Sequence, residues 1–360
     1  MTRYLLAGGG TAGHVNPLLA VADTIRRREP ESTILILGTE EGLEARLVPE
    51  RGYQLLTVPK VPFPRRPGPE LLTFLPKLRR AIRRSVALMR KHEIDIVVGF
   101  GGFASAPAYL AAKKLGLPLV IHEANIKPGM ANKLGARYTQ YLGVSFAETR
   151  FGNARLIGTP LRSELENFDR EQLRVEARSF FDLGKRKTLL VTGGSQGALR
   201  INQTIEQRLA AIIDQGYQII HLIGGKNTAA DFKHEWYRPL NYLDRMELAL
   251  ALADLAIARA GATTVSEFAA IGLPAVFVPL PHGNGEQRLN AREMIETGGA
   301  IAVENSEFTP EWIDRELLPL LRDDNRLSKM HAAAQNIGIP DGASRMFDLI
   351  QDALHARPIQ

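Results

Sequence analysis

The chain has 360 residues, 45% apolar and 23% charged, enough for about two domains of ordinary size, so peptide-sized, fibrous and wholly disordered architectures are excluded. It carries 45 Lys and Arg against 39 Asp and Glu, a net charge of +6, which leaves nucleic acid, an anionic membrane or an anionic small molecule as partners. With no cysteine, disulfides, thiolate zinc sites, iron–sulfur clusters and cysteine nucleophiles are ruled out together, as fits a reducing cytosol.

The amino end reads as a strand, Tyr4 to Ala7, too short an apolar stretch for the core of a signal peptide. It runs into Gly8-Gly-Gly-Thr-Ala-Gly-His14 and then a helical stretch from Val15 to Arg28. Gly8, Gly10 and Gly13 match the G-x-G-x-x-G fingerprint in the strand-before, helix-after context it requires, so the backbone can approach an anion or a sugar closely; a ligand-free tight turn is the bland alternative. A nicotinamide enzyme further needs an acid closing the second strand. Glu40 and Glu41 come too late for that, beyond the Thr33–Gly38 strand, and His14 stands where a pyrophosphate would approach. A histidine there is either a helix-cap residue or a general base, since imidazole titrates near neutrality.

From Lys60 to Lys91 there are ten basic residues and one acid, Glu70, so this segment carries +9 and the rest of the chain −3. Leu71, Leu75, Leu78, Ile82, Val86 and Met89 fall on one helical face, Arg79, Arg80, Arg83 and Arg84 on the other, and Pro76 is expected to confine the regular helix to the residues after it. With Leu72, Phe74 and Leu75 near a proline-rich entry, such a helix can lie on anionic lipid, or its apolar face can pack on a sheet with the arginines merely solvated. No aromatic platform or groove-reading motif in the segment suggests nucleic acid.

Strand-like runs continue at Ile94–Val98, Leu117–Ile121 and Leu156-Ile157. The uncharged stretch Ile96–Ala112 is broken by Gly99, Gly101, Gly102 and Pro107, so it reads as strand, turn and helix rather than a membrane span. After a polar stretch from Arg162 to Arg186 the pattern restarts, with strands expected at Thr188–Thr192, Gln218–Ile223, Leu255–Ala258, Ala275–Val278 and Ala300–Val303. Alternating strands and helices predict parallel sheets with helical crossovers, in two α/β units.

The second unit repeats the opening. Strand Thr188–Thr192 runs into Gly193-Gly-Ser-Gln-Gly-Ala198 and a helix predicted over Ala198–Ile213, and Ser195 adds a hydroxyl to a nest suited to phosphate. Further on, Ala262-Thr-Thr-Val-Ser-Glu267 opens another helix. Thr264 and Glu267 stand in capping-box spacing, which competes with the reading of Glu267 as acceptor for ribose hydroxyls. The loop Pro279 to Gln287 has glycines and polar tips suited to sugar hydroxyls, or to solvent alone. No D-x-D pair and no H-x-x-x-H occurs, so no metal site is expected. The last predicted helix is Ala343–Ala356.

Taken together, Gly8–His14 with Asn16-Pro17, Gly99-Phe-Gly-Gly-Phe103, His122-Glu-Ala-Asn125, Gly158-Thr-Pro-Leu-Arg162, Gly193–Ala198, and Ala262–Glu267 with Gln287 resemble the MurG family. These are bacterial N-acetylglucosaminyltransferases acting on undecaprenyl-pyrophosphoryl-MurNAc-pentapeptide (lipid I). The resemblance implies a GT-B fold of two Rossmann-like domains facing a cleft. Residues 1–160 would form the acceptor and membrane-facing domain, with helix 341–360 packing back on it, and 161–340 the nucleotide-sugar domain.

It implies inverting, metal- and cofactor-independent transfer of GlcNAc from UDP-GlcNAc to lipid I on the cytoplasmic face of the cell membrane, as a peripheral protein that does not engage nucleic acid. Same-fold alternatives are a glycolipid synthase and a UDP-GlcNAc 2-epimerase. By the same resemblance Thr11, Ala12 and Gly13 line the donor sugar and Asn125 bonds it. Arg162, Ser195, the Leu243 backbone, Ala262, Thr263, Thr264, Val265, Ser266, Glu267 and Gln287 hold the nucleotide sugar, and His14 is the catalytic candidate. Two positions depart from the family pattern: Ala12 stands where many relatives have glycine, and Glu286 replaces a glutamine.

Overall fold

The computed structural model describes residues 1–62, 70–194, 197–225, 227–228, 231–281 and 285–356, the side chains of 70–73 excepted. The chain divides into two compact units, Met1–Ser163 with Asp341–Gln360, and Glu164–Pro340.

The first unit is built on seven parallel strands: β1 Arg3–Ala7, β2 Thr33–Gly38, β3 Gln54–Thr57, β4 Ile96–Gly99, β5 Leu119–Glu123, β6 Tyr141–Val144 and β7 Arg155–Leu156. Their spatial order is β3-β2-β1-β4-β5-β6-β7, so the direction of winding reverses between β1 and β4. The second unit has six: β8 Lys187–Thr192, β9 Tyr217–Leu222, β10 Tyr237–Leu240, β11 Ala253–Ala258, β12 Ala275–Phe277 and β13 Ala300–Ala302. Their order, β10-β9-β8-β11-β12-β13, reverses between β8 and β11. The central strands are buried on both faces, which is why they read as unbroken apolar runs rather than alternating ones. In open sheets of this kind ligands bind beyond the carboxyl ends of the strands at the reversal, and in each unit the two loops there are glycine-rich or open a helix.

The final helix, Gly342–His355, belongs to the first unit. Met346, Phe347 and Ile350 pack with Tyr4, Val15 and Leu18, and Arg28 pairs with Asp348 at 3.0 Å.

The basic helix spans Glu70–Lys91 and runs through Pro76, contrary to the sequence expectation. A proline removes one backbone donor, and at this exposed position solvent can replace the lost partner. Along the described part of the expected apolar stripe packing grows toward the carboxyl end: Leu75 is 55% exposed, Leu78 and Ile82 are half-buried, and Val86 and Met89 are buried with Ala81 and Leu88; the side chain of Leu71 lies outside the described residues. The helix expected over Ala198–Ile213 is two helices, Leu199–Glu206 and Leu209–Ile213, interrupted at Arg208.

Each sheet buries one histidine. His122 on β5 lies 3.0 Å from the Gly158 carbonyl through Nε2, and His221 on β9 lies 3.0 Å from the Tyr237 hydroxyl and 3.2 Å from Asn202 Oδ1. Burial pushes both pKa values down to about 4. The unfolded chain, titrating near 6.5, therefore takes up protons that the folded chain refuses, and stability is lost as pH falls through that window. Each histidine should contribute about 2 kcal/mol of that loss by pH 5. Urea midpoints at pH 7 and pH 5 measure it, and the drop should shrink in His221→Gln.

Candidate functional site

At the reversal point of the first unit the β1–helix turn meets the β4 turn, Phe100 to Phe103. Gly102 has φ +88°, and a Cβ there would sit 2.3 Å from the Gly9 carbonyl oxygen, so the two loops touch backbone to backbone and only glycine fits. Thr11 is the N-cap residue of helix Ala12–Arg28, with extended φ and ψ of −131° and 160°. Ala12 is thus the first helical residue, a conformation any L-residue adopts, which explains why alanine is tolerated there.

His14 sits in the first turn of that helix. Its Nδ1 lies 3.0 Å from the Gly9 carbonyl, which can only accept, so Nδ1 carries the proton and Nε2 of the neutral ring holds the lone pair. The Cδ2–Nε2 edge lies over Gly101, where a Cβ would stand 3.2 Å from both atoms. Thr11 Oγ1 is 3.4 Å from Nδ1.

Two buried carboxylates that sequence reasoning missed hold these loops. Glu44, 1% exposed, accepts the Gly10 amide at 2.7 Å, the Thr39 amide at 2.9 Å and the Thr39 hydroxyl at 2.8 Å. A glycine-turn amide that would meet a pyrophosphate in a dinucleotide fold is thus already bonded to a negative group, which argues against such a ligand here. Glu123, at the end of β5, accepts the Asn125 and Gly129 amides, both at 2.9 Å, and Asn132 Nδ2 at 2.9 Å. Asn132 Oδ1 in turn accepts the buried Tyr109 hydroxyl at 2.8 Å. Asn125, half-buried, therefore sits in a loop fixed by its neighbour's carboxylate, beyond the third of three adjacent strand ends (β1, β4, β5). An acid closing a strand that opens with the apolar run Leu119–Ile121 was the available signal for Glu123; nothing in the sequence around Glu44 pointed to its role.

Arg162 lies in the first unit, one residue from its end, with Nε buried and unpartnered among the described residues. The remaining expected residues lie in the second unit on the carboxyl edge of its sheet. After β8, Gly194 and Gly197 take φ values of +83° and +74°, and a Cβ on Gly197 would meet the Ile223 carbonyl at 2.0 Å. The amides of this turn go to a hydroxyl and a carbonyl: Gly194 N–H to Thr192 Oγ1 at 3.3 Å and Gly197 N–H to Gly194 O at 2.9 Å. Ser195 falls outside the described residues. Leu243 is half-buried in the loop after β10.

After β11 the helix Ala262–Ala270 starts with Gly261 as N-cap and no side-chain cap. Thr264 is therefore the third helical residue and Glu267 the sixth, so the two form no capping box. The spacing suggested one, but the helix begins three residues earlier than a Thr264 cap would place it. Ala262 and Val265 face the core, at 7% and 2% exposure, while Thr263, Thr264, Ser266 and Glu267 are half-buried on the other side. Thr263 Oγ1 is buried without a partner among the described residues. The first-turn amides have no intrahelical acceptor, which makes this end attractive to an anion.

Arg259 clips the neighbouring loop, donating to the Val278 and Pro279 carbonyls at 2.9 and 3.2 Å, and burial holds its pKa below the usual arginine range. Gln287 Oε1 accepts the Leu280 amide at 2.9 Å, which turns its NH2 group into the remaining functional end. Among the described residues no three His, Asp or Glu side chains gather as a metal site, and no helix is long and apolar enough to cross a membrane.

Residues 4–143 match the model of the glycosyltransferase family 28 N-terminal domain and residues 188–346 that of its C-terminal domain. A protein from Leifsonia xyli subsp. xyli, described as a UDP-N-acetylglucosamine–N-acetylmuramyl-(pentapeptide) pyrophosphoryl-undecaprenol N-acetylglucosamine transferase, is 54% identical over 99% of this chain and 100% of its own length. The chain belongs to glycosyltransferase family 28. The crystal structure of Acinetobacter baumannii MurG superposes on this family-28 chain with a TM-score of 0.78, at 28% identity, over 98% of this chain and 100% of that one. The family-28 chain accordingly has the GT-B fold, two parallel-sheet units with helical crossovers. A putative UDP-N-acetylglucosamine 2-epimerase from Listeria monocytogenes, 15% identical over 99% of this chain and 97% of its own with a TM-score of 0.69, shares the fold alone.

Proposed function

We propose that this family-28 enzyme transfers GlcNAc from UDP-GlcNAc to the MurNAc 4-hydroxyl of undecaprenyl-pyrophosphoryl-MurNAc-pentapeptide, converting lipid I to lipid II for peptidoglycan synthesis. Full-length kinship with the Leifsonia transferase carries the reading.

The second unit holds the nucleotide: Glu267 accepts the ribose hydroxyls, Thr263, Thr264, Ser266 and the first-turn amides after Gly261 meet the diphosphate with Ser195, and Leu243 offers its backbone to the base. Ala262 acts through its backbone, while Val265 serves as the packed framework beneath. The free amide of Gln287 and the side chain of Asn125 bond the sugar, beside Thr11, Ala12 and Gly13, and Arg162 adds positive charge. The acceptor oxygen attacks the anomeric carbon in line and the bond to UDP breaks, with inversion to a β1,4 linkage. His14 Nε2 takes the hydroxyl proton, and the departing charge falls on amides, hydroxyls and a guanidinium rather than on a metal ion.

The exposed Leu75 and half-buried Phe74, with Arg79 and Arg83 of the basic helix, support a docking surface for the anionic cytoplasmic face of the cell membrane, while the side chain of Leu72 lies outside the described residues. Binding to anionic vesicles should fall with rising salt and drop strongly in Arg79→Gln/Arg83→Gln, with UDP affinity unchanged. Retained vesicle binding in that variant would remove the helix from the membrane face.

The deciding experiment is acceptor-dependent UDP release. Release with lipid I, undiminished by EDTA, is the expected result. Release with diacylglycerol instead, or formation of an epimer without any acceptor, would replace the proposal with one of its same-fold rivals.

A further inference from the structure

A cavity of about 500 Å³ opens within the first unit beyond the carboxyl ends of β2 and β3, walled by Thr39, Glu40, Glu41, Lys60, Arg80 and Arg84. Of these only Thr39 figures in the site described above, through its bonds to Glu44. Glu41 is paired with Lys60 at 3.4 Å, and Glu40 accepts the Thr57 hydroxyl at 3.1 Å. Arg80 and Arg84 stand one turn apart on the same side of the basic helix, exposed and without an ion pair among the described residues. Two guanidinium forks at that spacing suit planar, bidentate capture of a carboxylate.

Two chains of contact join this cavity to the turn that carries His14. Thr39 bonds through its amide and hydroxyl to Glu44, whose other oxygen takes the Gly10 amide. The Lys60 ammonium lies 5.3 Å from the centre of the Phe103 ring, and a Cβ on Gly10 would lie 3.7 Å from that same ring. The cavity is thus the chamber next to the glycine turn.

We propose that this chamber is the subsite for the peptide of the acceptor, with Arg80 and Arg84 gripping a peptide carboxylate and Glu40 and Glu41 facing its amide or amino donors. The inference rests on the acceptor being a muramyl-peptide lipid, as proposed above. In such an acceptor the peptide hangs from the lactyl group on the carbon next to the reacting hydroxyl, so a chamber adjoining the turn of His14 is where it must go. The mixed charge decides between anions. A diphosphate would bring its dense negative charge against two carboxylates, whereas a peptide offers one carboxylate to the arginines and hydrogen-bond donors to the acids.

The test uses the full-length enzyme in detergent with three lipid-linked MurNAc acceptors: one with a free-carboxylate pentapeptide, one with every peptide carboxylate amidated, and one with no peptide. The wild type should favour the first in kcat/KM. In Arg80→Gln/Arg84→Gln, KM for the free-carboxylate acceptor should rise about tenfold or more, while kcat, the KM for UDP-GlcNAc and both parameters for the peptide-free acceptor stay within about twofold. Equal weakening of all three acceptors would place the arginines on the diphosphate or the lipid and overturn the proposal, as would no change in any. Failure of the wild type to use any of the three would instead overturn the transferase reading itself.

Discussion

Replacing His14 with alanine is expected to lower kcat by about 10²–10⁴-fold, the usual contribution of a positioned general base, and to leave UDP affinity within about twofold. The side chain is held in one tautomer: Nδ1–H donates to the Gly9 carbonyl at 3.0 Å, so the lone pair is on Nε2, over the side-chain-free Gly101. Glycine at 101 is needed for that placement, since a Cβ would crowd the ring at 3.2 Å. Steady-state kinetics with both substrates, paired with calorimetric UDP titration, separates the effects. A loss of kcat under tenfold would make His14 an orienting residue and return the search for the base to the loops around it.

Substituting Glu267 by alanine should weaken UDP-GlcNAc binding by about a hundredfold or more, the cost of two hydrogen bonds to an ionised acceptor. Glu267 is the sixth residue of its helix, outside the capping positions, so the loss is to be read in nucleotide binding. The sharper comparison uses UDP and its 2′,3′-dideoxy analogue. Wild-type enzyme should bind the analogue far more weakly than UDP, and Glu267→Ala should bind the two alike. Continued discrimination in the variant would assign the ribose to another residue.

The parts of the fold that were legible in the sequence are those whose physics is local. Glycine turns followed by helices, and short apolar runs such as Leu189–Val191, announce themselves because both faces of a central parallel strand are covered. The strands that escaped notice, β3, β6 and β10, are short; β3 and β10 lie at sheet edges, β6 is interrupted by Gly143 and β10 by Pro239. Helix boundaries misled in both directions. Pro76 reads as a breaker yet lies inside a helix, and Thr264 reads as a cap yet lies inside another, because local signals compete with a register set by packing of Val265 and Phe268. The residues that fix the candidate site, Glu44, Glu123 and Asn132, were least visible, since a buried carboxylate is recognisable only from the amides that surround it.

Glu44 also gives a repeated architecture a direction. Two strand–turn–helix elements of similar design open the two units, and in an unmodified pair a phosphate could settle at either. In the first, the chain supplies its own tethered anion, seated at 2.7 Å from the Gly10 amide, and so that turn excludes phosphate by occupancy rather than by shape. In the turn after β8 the described amides of Gly194 and Gly197 meet neutral oxygens, which accords with the diphosphate seat proposed there. A single internal side chain thereby breaks the equivalence of the halves, as the proposed reaction requires of a leaving group on one and a nucleophile on the other.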